Sequence, residues 1–370
     1  MAIAAKCKIW MEKGLAGGNV GLSMGLPRLQ RYMPGVQQST YYLVGGEPGT
    51  GKSGFTDQSF IYHPYEQLKQ HTQDPDHASY GQPISRKLKI FKESLEIEVR
   101  AMIVKAACWR LYTKYNILTD INVVLSRGEN RCPQELYDLV WDELDYFDEM
   151  EDCVEISDNS NNPTGINKKV LAWLHQNGTA HKKTVNNGDE KGNFEVFSHY
   201  EPSEPDRTVL VMVDHVGLVR GEKDLRQKKD IIEKLSSEYF LSLRNNYGVS
   251  PVMVSQLNRS LSSSDRARIE RVKPQLSDFK DSAGPQEDAN VIIALFAPHR
   301  YGIPQYGANN GYDITKLRNR FISLSLLKNR DGEADKMLGL KFLGECGYFE
   351  EMPTEADMKA PGAYEKVLAN

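Results

Sequence analysis

Short apolar runs along this chain are separated by stretches with helical spacing, and turn residues mark the boundaries. Tyr41-Tyr42-Leu43-Val44 is a β-rich run that ends at glycine. A helix is predicted from Gly51 towards Tyr62, with Pro64 interrupting it. Residues 66–86 are polar, carry Pro75 and Pro83, and read as a surface excursion. Residues 88–91 read as a second strand. Val99, Met102, Ile103, Ala106 and Leu111 stand near helical spacing and predict a helix over 97–115. Pro133 opens a further helix to residue 150. Residues 154–156 form a short strand, and Asn162-Pro163-Thr164 starts a helix running through Trp173 and Leu174. Residues 177–193, rich in Gly, Asn and Lys, read as a mobile insert.

Residues 208–213 are almost wholly apolar, which predicts a strand buried on both faces. A helix over 231–244 and a strand over 251–255 follow. Residues 258–275 are polar and Arg-rich. A strand over 291–296, a Gly/Asn-rich loop over 297–318, and strands over 321–327 and 337–343 complete the pattern. Strand–helix alternation followed by consecutive strands predicts an α/β fold. Its sheet is mostly parallel and flanked by helices, with antiparallel strands added at the C-terminal end. Residues 1–20 form a short arm with a helix over 3–11. Trp10 on that helix packs either on the chain's own core or on a neighbouring subunit. Residues 21–350 form one domain with inserts near 56–86 and 116–200, and 351–370 a tail.

Composition narrows the class. Of the 370 residues, 40% are apolar and 26% charged, a globular balance. No apolar run approaches the ~20 residues of a membrane helix, and no signal peptide opens the chain. The five cysteines are scattered without a CxxC pair, which argues against a disulfide framework or zinc site and fits a reducing cytosol. With 46 Lys+Arg against 50 Asp+Glu, any nucleic-acid contact must come from a local patch.

Residues 46–53, Gly46-Glu47-Pro48-Gly49-Thr50-Gly51-Lys52-Ser53, carry every fixed position of a phosphate-binding P-loop, after a strand and before a helix. The backbone N–H groups would hold phosphate, Lys52 would reach the β- and γ-phosphates, and the Ser53 hydroxyl would ligate Mg²⁺. ATP and Mg²⁺ are therefore the expected cofactors. Asp214 ends the apolar strand, where an α/β sheet places ligand groups, and is the second candidate for the metal. A group that orients water is expected just after the second strand, expected to lie beside the P-loop strand; Glu93, Glu96 and Glu98 all stand there. Gln256 ends the 251–255 strand and can sense a γ-phosphate. Arg259, Arg266, Arg268, Arg271, Lys273 and Lys280 make the densest basic patch. Lys328 and Arg330, two apart at a strand end, can reach a phosphate on a neighbouring subunit.

These motifs stand in a definite order. Gly21-Leu22-Ser23-Met24-Gly25-Leu26 precedes the P-loop, and Ser94-Leu95-Glu96, Val213-Asp214-His215 and Ser255-Gln256-Leu257-Asn258-Arg259 follow it. Ser277-Asp278-Phe279-Lys280-Asp281-Ser282, Gln286-Glu287-Asp288-Ala289-Asn290 and Lys328-Asn329-Arg330-Asp331-Gly332 close the set. Over about residues 20–350 the chain resembles the RecA-like motor domain of the DnaB-family replicative helicases. It looks most similar to the divergent versions carried by large tailed phages. The resemblance implies an ATP-dependent helicase that moves on single-stranded DNA as a homo-oligomeric, hexameric ring. A primase or helicase loader would be its partner and the cytoplasm, the host's if phage-encoded, its place. It implies Glu96 as the catalytic glutamate, Gln256 as γ-phosphate sensor, and Lys328 and Arg330 as the pair acting in trans. It also implies a DNA-following loop that includes Lys280, Asp281, Ala283 and Gly284 beside Arg259, Arg266 and Arg268. Lys280 stands where the family often has Arg, and His215 where Tyr is common. Only about 20 residues precede the core, so contacts made by the family's N-terminal domain are not implied. A RecA-like recombinase or mediator, and a non-unwinding ATP-dependent loader or scaffold, would share the ATP site.

Overall fold

In the computed structural model the described residues are 3–15, 17–129, 131–159, 161–186, 193–258, 272–279 and 283–369. Among them the strands, in chain order, are β1 (Tyr42–Gly46), β2 (Leu88–Ser94), β3 (Val154–Ser157), β4 (Gly178–Asn186) and β5 (Asn193–Pro202). Then come β6 (Thr208–Asp214), β7 (Ser250–Gln256), β8 (Val291–Phe296), β9 (Gln305–Tyr306) and β10 (Tyr312–Asp313). The last are β11 (Phe321–Asn329), β12 (Lys336–Leu343) and β13 (Tyr348–Glu351). Nine form one sheet in the order β13-β12-β11-β8-β1-β7-β6-β2-β3. Pairing is parallel from β8 through β3 and antiparallel from β8 through β13. The predicted fold class is the observed one.

Because successive strand residues face opposite sides, the sheet feeds two cores. Tyr42, Val44, Ile90, Met212, Val252 and Leu295 face one side and meet Phe55, Phe60 and Trp109. Tyr41, Leu43, Phe91, Val211, Val213 and Ile292 face the other. There they meet Ile166, Val170 and Leu174 of the helix Pro163–Gln176, and Ile231, Leu235 and Leu243 of the helical stretch 228–247. The N-terminal helix is Ile3–Leu15, with Ile9, Trp10, Met11 and Leu15 exposed. Met352 and Met358 carry the C-terminal segment into the second core.

Three expectations are corrected. β2 is not beside β1: the apolar, buried strands β7 and β6 lie between them. Pro64 does not interrupt the helix. A π-turn at Gln58–Tyr62, with His63 N–H donating to Gln58 O, shifts the hydrogen-bond ladder, and the helix continues as His63–Gln73. The missing proline N–H then falls in the first turn of the new segment. The expected excursion from residue 66 therefore starts at residue 74. The stretch expected as a mobile insert contributes to a ribbon, β4 pairing antiparallel with β5 from Gly178↔Pro202 to Asn186↔Asn193. Among the described residues no helix is long and apolar enough to cross a membrane.

Candidate nucleotide and catalytic site

β1 ends at Gly46, and the helix Lys52–Asp57 starts six residues later with Gly51 as its N-cap. Gly49 and Gly51 adopt φ of +73° and +80°, left-handed values that let the loop curl around its own N–H groups. A Cβ on Gly51 would come within 2.7 Å of the rings of Phe342 and Phe349, so only glycine fits there. Thr50 Oγ1 and Lys52 Nζ both donate to Glu47 O, at 2.8 and 3.1 Å. Burial pulls the Lys52 ammonium below the ordinary lysine range, opposed by the nearby carboxylates of Glu96 and Asp214.

Asp214 closes β6 and is buried, and its Oδ1 has no hydrogen-bond partner. A buried carboxylate oxygen left without a donor suits a cation or its water. Among the described residues no group of three His, Cys, Asp or Glu could hold a metal alone. Mg²⁺ is a metal held through one or two protein oxygens together with phosphates; Ser53 and Asp214 are the candidate donors.

The structure separates the three glutamates. Glu93 is buried on the far face and paired to Lys169 at 3.2 Å, and burial raises its pKa. Glu98 pairs with Arg100 on the surface. Glu96 is exposed and lines a cavity of about 210 Å³ with Gly49, Lys52, Ser53, Lys105 and Phe342. It reaches that cavity although β2 is three strands from β1. Leu95 N–H donates to Asp214 O at 2.7 Å, and Ser94 Oγ to Ile97 O at 2.6 Å, folding the chain back over the P-loop.

One buried ion pair braces this arrangement. Asp57 of the P-loop helix meets Lys92 of β2, and both are almost fully buried. Removing one partner leaves the other charge buried alone, which costs about 3–5 kcal/mol. Asp57→Leu or Lys92→Leu should therefore lose about that much in urea unfolding, and the double variant should recover most of it. Additive losses would show that the two groups are not coupled.

Gln256 ends β7 in register with Gly46, and Leu257 N–H donates to Gly46 O at 3.2 Å. Beyond it Leu257 and Phe279 form a bridge, so the segment between them leaves and returns beside the P-loop strand. Arg259, Arg266, Arg268, Arg271, Lys280 and Asp281 lie outside the described residues. Ala283 and Gly284 begin the short helix Gly284–Asp288. Lys328 Nζ donates to the carbonyls of Gln286 and Glu287 at 2.7 and 3.0 Å, and Arg330 donates to Glu287 O. Both cations sit at the N-terminal end of β8, whereas the P-loop sits at its C-terminal end.

Residues 200–351 match the DnaB-like helicase C terminal domain. The replicative DNA helicase DnaB of Helicobacter pylori (strain J99 / ATCC 700824) is 30% identical over 92 residues, 25% of this chain and 18% of that relative. DnaB of Mycobacterium leprae (strain TN) is 29% identical over 123 residues, 33% of this chain and again 18% of the relative. The matched segment thus spans under a fifth of these relatives' length. A solved ATPase domain has a TM-score of 0.62 and 18% identity, covering 95% of this chain and 98% of that one. A DnaB-like replicative helicase, solved with its interactions with primase, has a TM-score of 0.61 and 18% identity, covering 94% and 68%. The fold is RecA-like, and the resemblance to the DnaB-family motor domain stands.

Two groups of residues stood outside the motifs. Arg300 and Tyr301 follow β8 and grip the P-loop. The Arg300 guanidinium donates to Pro48 O and, at 2.9 Å, to Gly49 O; the Tyr301 hydroxyl donates to Glu47. No pattern in the sequence marks them; it is the strand order, with β8 beside β1, that brings them to the P-loop. Arg220, Lys223 and Arg226 are exposed on the loop after β6, and Lys228 and Lys229 are exposed on the first turn of the helical stretch that follows. Interspersed Glu222, Asp224 and Asp230 hid that patch from a reading of net charge.

Proposed function

We propose that this chain is the motor of an ATP-dependent, Mg²⁺-dependent DNA helicase that moves on single-stranded DNA as a ring, most simply a hexamer. The observation that carries this is spatial. Lys52, Ser53, Asp214 and Glu96 meet at one end of the sheet, and Lys328 and Arg330 stand at the other. One chain thus holds two complementary halves of a site that is complete only between copies.

Mg-ATP, when bound, supplies the transferable phosphoryl group and the cation that offsets its charge. The P-loop N–H groups and Lys52 hold the phosphates, while Ser53 and Asp214 hold the cation. Glu96, in the cavity beside Lys52, orients and deprotonates the attacking water. Gln256 meets the terminal phosphate and leads directly into the segment offered to DNA, so a change at one is passed to the other. Lys328 and Arg330 serve the neighbouring subunit.

DNA contact is assigned to residues 258–284 and to the basic segment 220–229, the loop after β6 and the first helical turn beyond it. Neutralising Arg220, Lys223 and Arg226 together should weaken single-stranded DNA binding. It should also flatten the dependence of log K on log salt by about 0.7 for each phosphate that the loop no longer neutralises. An unchanged slope would remove that loop from the interface. Trp10 and Met11 are assigned to the neighbouring subunit. Deleting residues 1–15 should shift native mass from ring to monomer and lower turnover with it; an intact ring would place those contacts elsewhere. The helicase reading is tested by ATP-driven unwinding of a forked duplex. Strand pairing without unwinding would favour a recombinase, and hydrolysis indifferent to DNA a loader or scaffold.

A further inference from the structure

His215 is used neither by the P-loop nor by the metal strand, yet it sits between them. It follows Asp214, is 8% exposed, and has Glu96, Asp214 and Lys52 within electrostatic reach. Its Nδ1 accepts the Gly217 N–H at 3.2 Å, closing the turn after β6. A ring nitrogen that accepts carries no proton, so the proton of this ring is on Nε2. Nε2 lies 3.4 Å from Nε2 of the Gln256 amide, two donors face to face for this tautomer, a clash removed by turning the amide end for end so that Oε1 meets the ring. An N–H faces the oxygen of an amide, not its NH₂ group, and the two ends of a Gln amide are assigned by such partners.

We propose that His215 is a positioning residue: its Nε2–H holds Oε1 of Gln256, so that the amide NH₂ is the end presented on the P-loop side. This rests on the proposed role of Gln256. Only the NH₂ end of an amide attracts a phosphate oxygen; the carbonyl end repels it. With no partner for Oε1 the amide turns freely and spends part of its time with the repelling end forward. His215 therefore sets discrimination between a nucleotide that has a third phosphate and one that does not, without touching either. Because Gln256 opens the segment closed by the Leu257–Phe279 bridge, the same contact sets how strongly that difference reaches DNA.

The test compares His215→Phe, which has no donor, with His215→Gln, whose amide N–H can replace Nε2–H. Affinities of the full chain for ADP and for a non-hydrolysable ATP analogue are measured by calorimetry. The Phe variant should lose about tenfold of its preference for the triphosphate, the value of one charge-assisted hydrogen bond. ADP affinity should be unchanged, and the Gln variant should recover most of the preference. In turnover, KM for ATP should rise by about the same factor while kcat falls less. In parallel, ¹⁵N imidazole spectra of the wild-type chain, assigned by the signal that disappears in His215→Gln, should show the Nε2–H tautomer; this stands even if the Phe variant does not fold. The Nδ1–H tautomer, or an unchanged preference in a folded Phe variant, would overturn the positioning alone. Wild-type protein that binds neither nucleotide would overturn the ATPase reading and this inference with it.

Discussion

Arg330→Ala will lower steady-state ATP hydrolysis by ~10³–10⁵-fold, the value of an arginine supplied across an interface. The location of the side chain argues for action in trans. Arg330 N–H bonds to Asn290 O at the entry to β8, whereas Gly46 at the P-loop is in register with Leu295 near the exit. Five residues of strand separate these ends, roughly 16 Å along the sheet, so Arg330 cannot serve its own P-loop. Its partner Lys328 is half-buried, and burial holds its ammonium below the ordinary range, opposed by the carboxylates of Asp288 and Glu287. Both cations rest on the carbonyls at the end of the helix Gly284–Asp288, next to the segment assigned to DNA. Mixing Arg330→Ala chains with Lys52→Ala chains should restore part of the missing turnover, because some interfaces then pair an intact P-loop with an intact arginine. Absence of any recovery in mixed rings would contradict action in trans.

Glu96→Gln will lower turnover by ~10²–10⁴-fold, the contribution of a positioned general base, while nucleotide binding persists. Glutamine keeps the size and shape of the side chain but cannot accept the proton of water. Glu93→Gln and Glu98→Gln should change turnover little, since Glu93 is held by Lys169 and Glu98 by Arg100. Single-turnover phosphate release together with analogue binding separates the cases. Normal release by Glu96→Gln would remove it from the chemistry, and a large loss in Glu93→Gln would move the assignment there.

How far these side chains could be located from sequence depended on the type of constraint. The P-loop was legible because its curl needs glycine at Gly49 and Gly51, and the chemistry needs Lys52 and Ser53 at fixed offsets. β6 was legible because burial on both faces requires an unbroken apolar run, and Asp214 is the residue at which that run stops. The C-terminal antiparallel strands were legible through their alternation, except β13, whose four residues are too few for a period to emerge. Strand order was not legible. Nothing local in residues 88–94 tells that β6 and β7 separate β2 from β1, since order is decided by which strands fill the centre. Glu96 still reaches the P-loop because Leu95 bonds to Asp214, a contact 119 positions away in sequence that no pattern announces. The ribbon β4–β5 was hidden by polar residues that normally mark loops, and its pairing comes from cross-strand hydrogen bonds rather than burial. The grip of Arg300 on the P-loop carbonyls, like the braced pair Asp57–Lys92, is a property of packing alone.

The decisive measurement is steady-state ATP hydrolysis by the full chain, with and without single-stranded DNA at two salt concentrations, alongside native mass. A ring-sized particle whose hydrolysis is strongly stimulated by DNA, less so at the higher salt, is the expected result. A monomer whose hydrolysis ignores DNA at both concentrations would contradict a translocating motor built from shared sites.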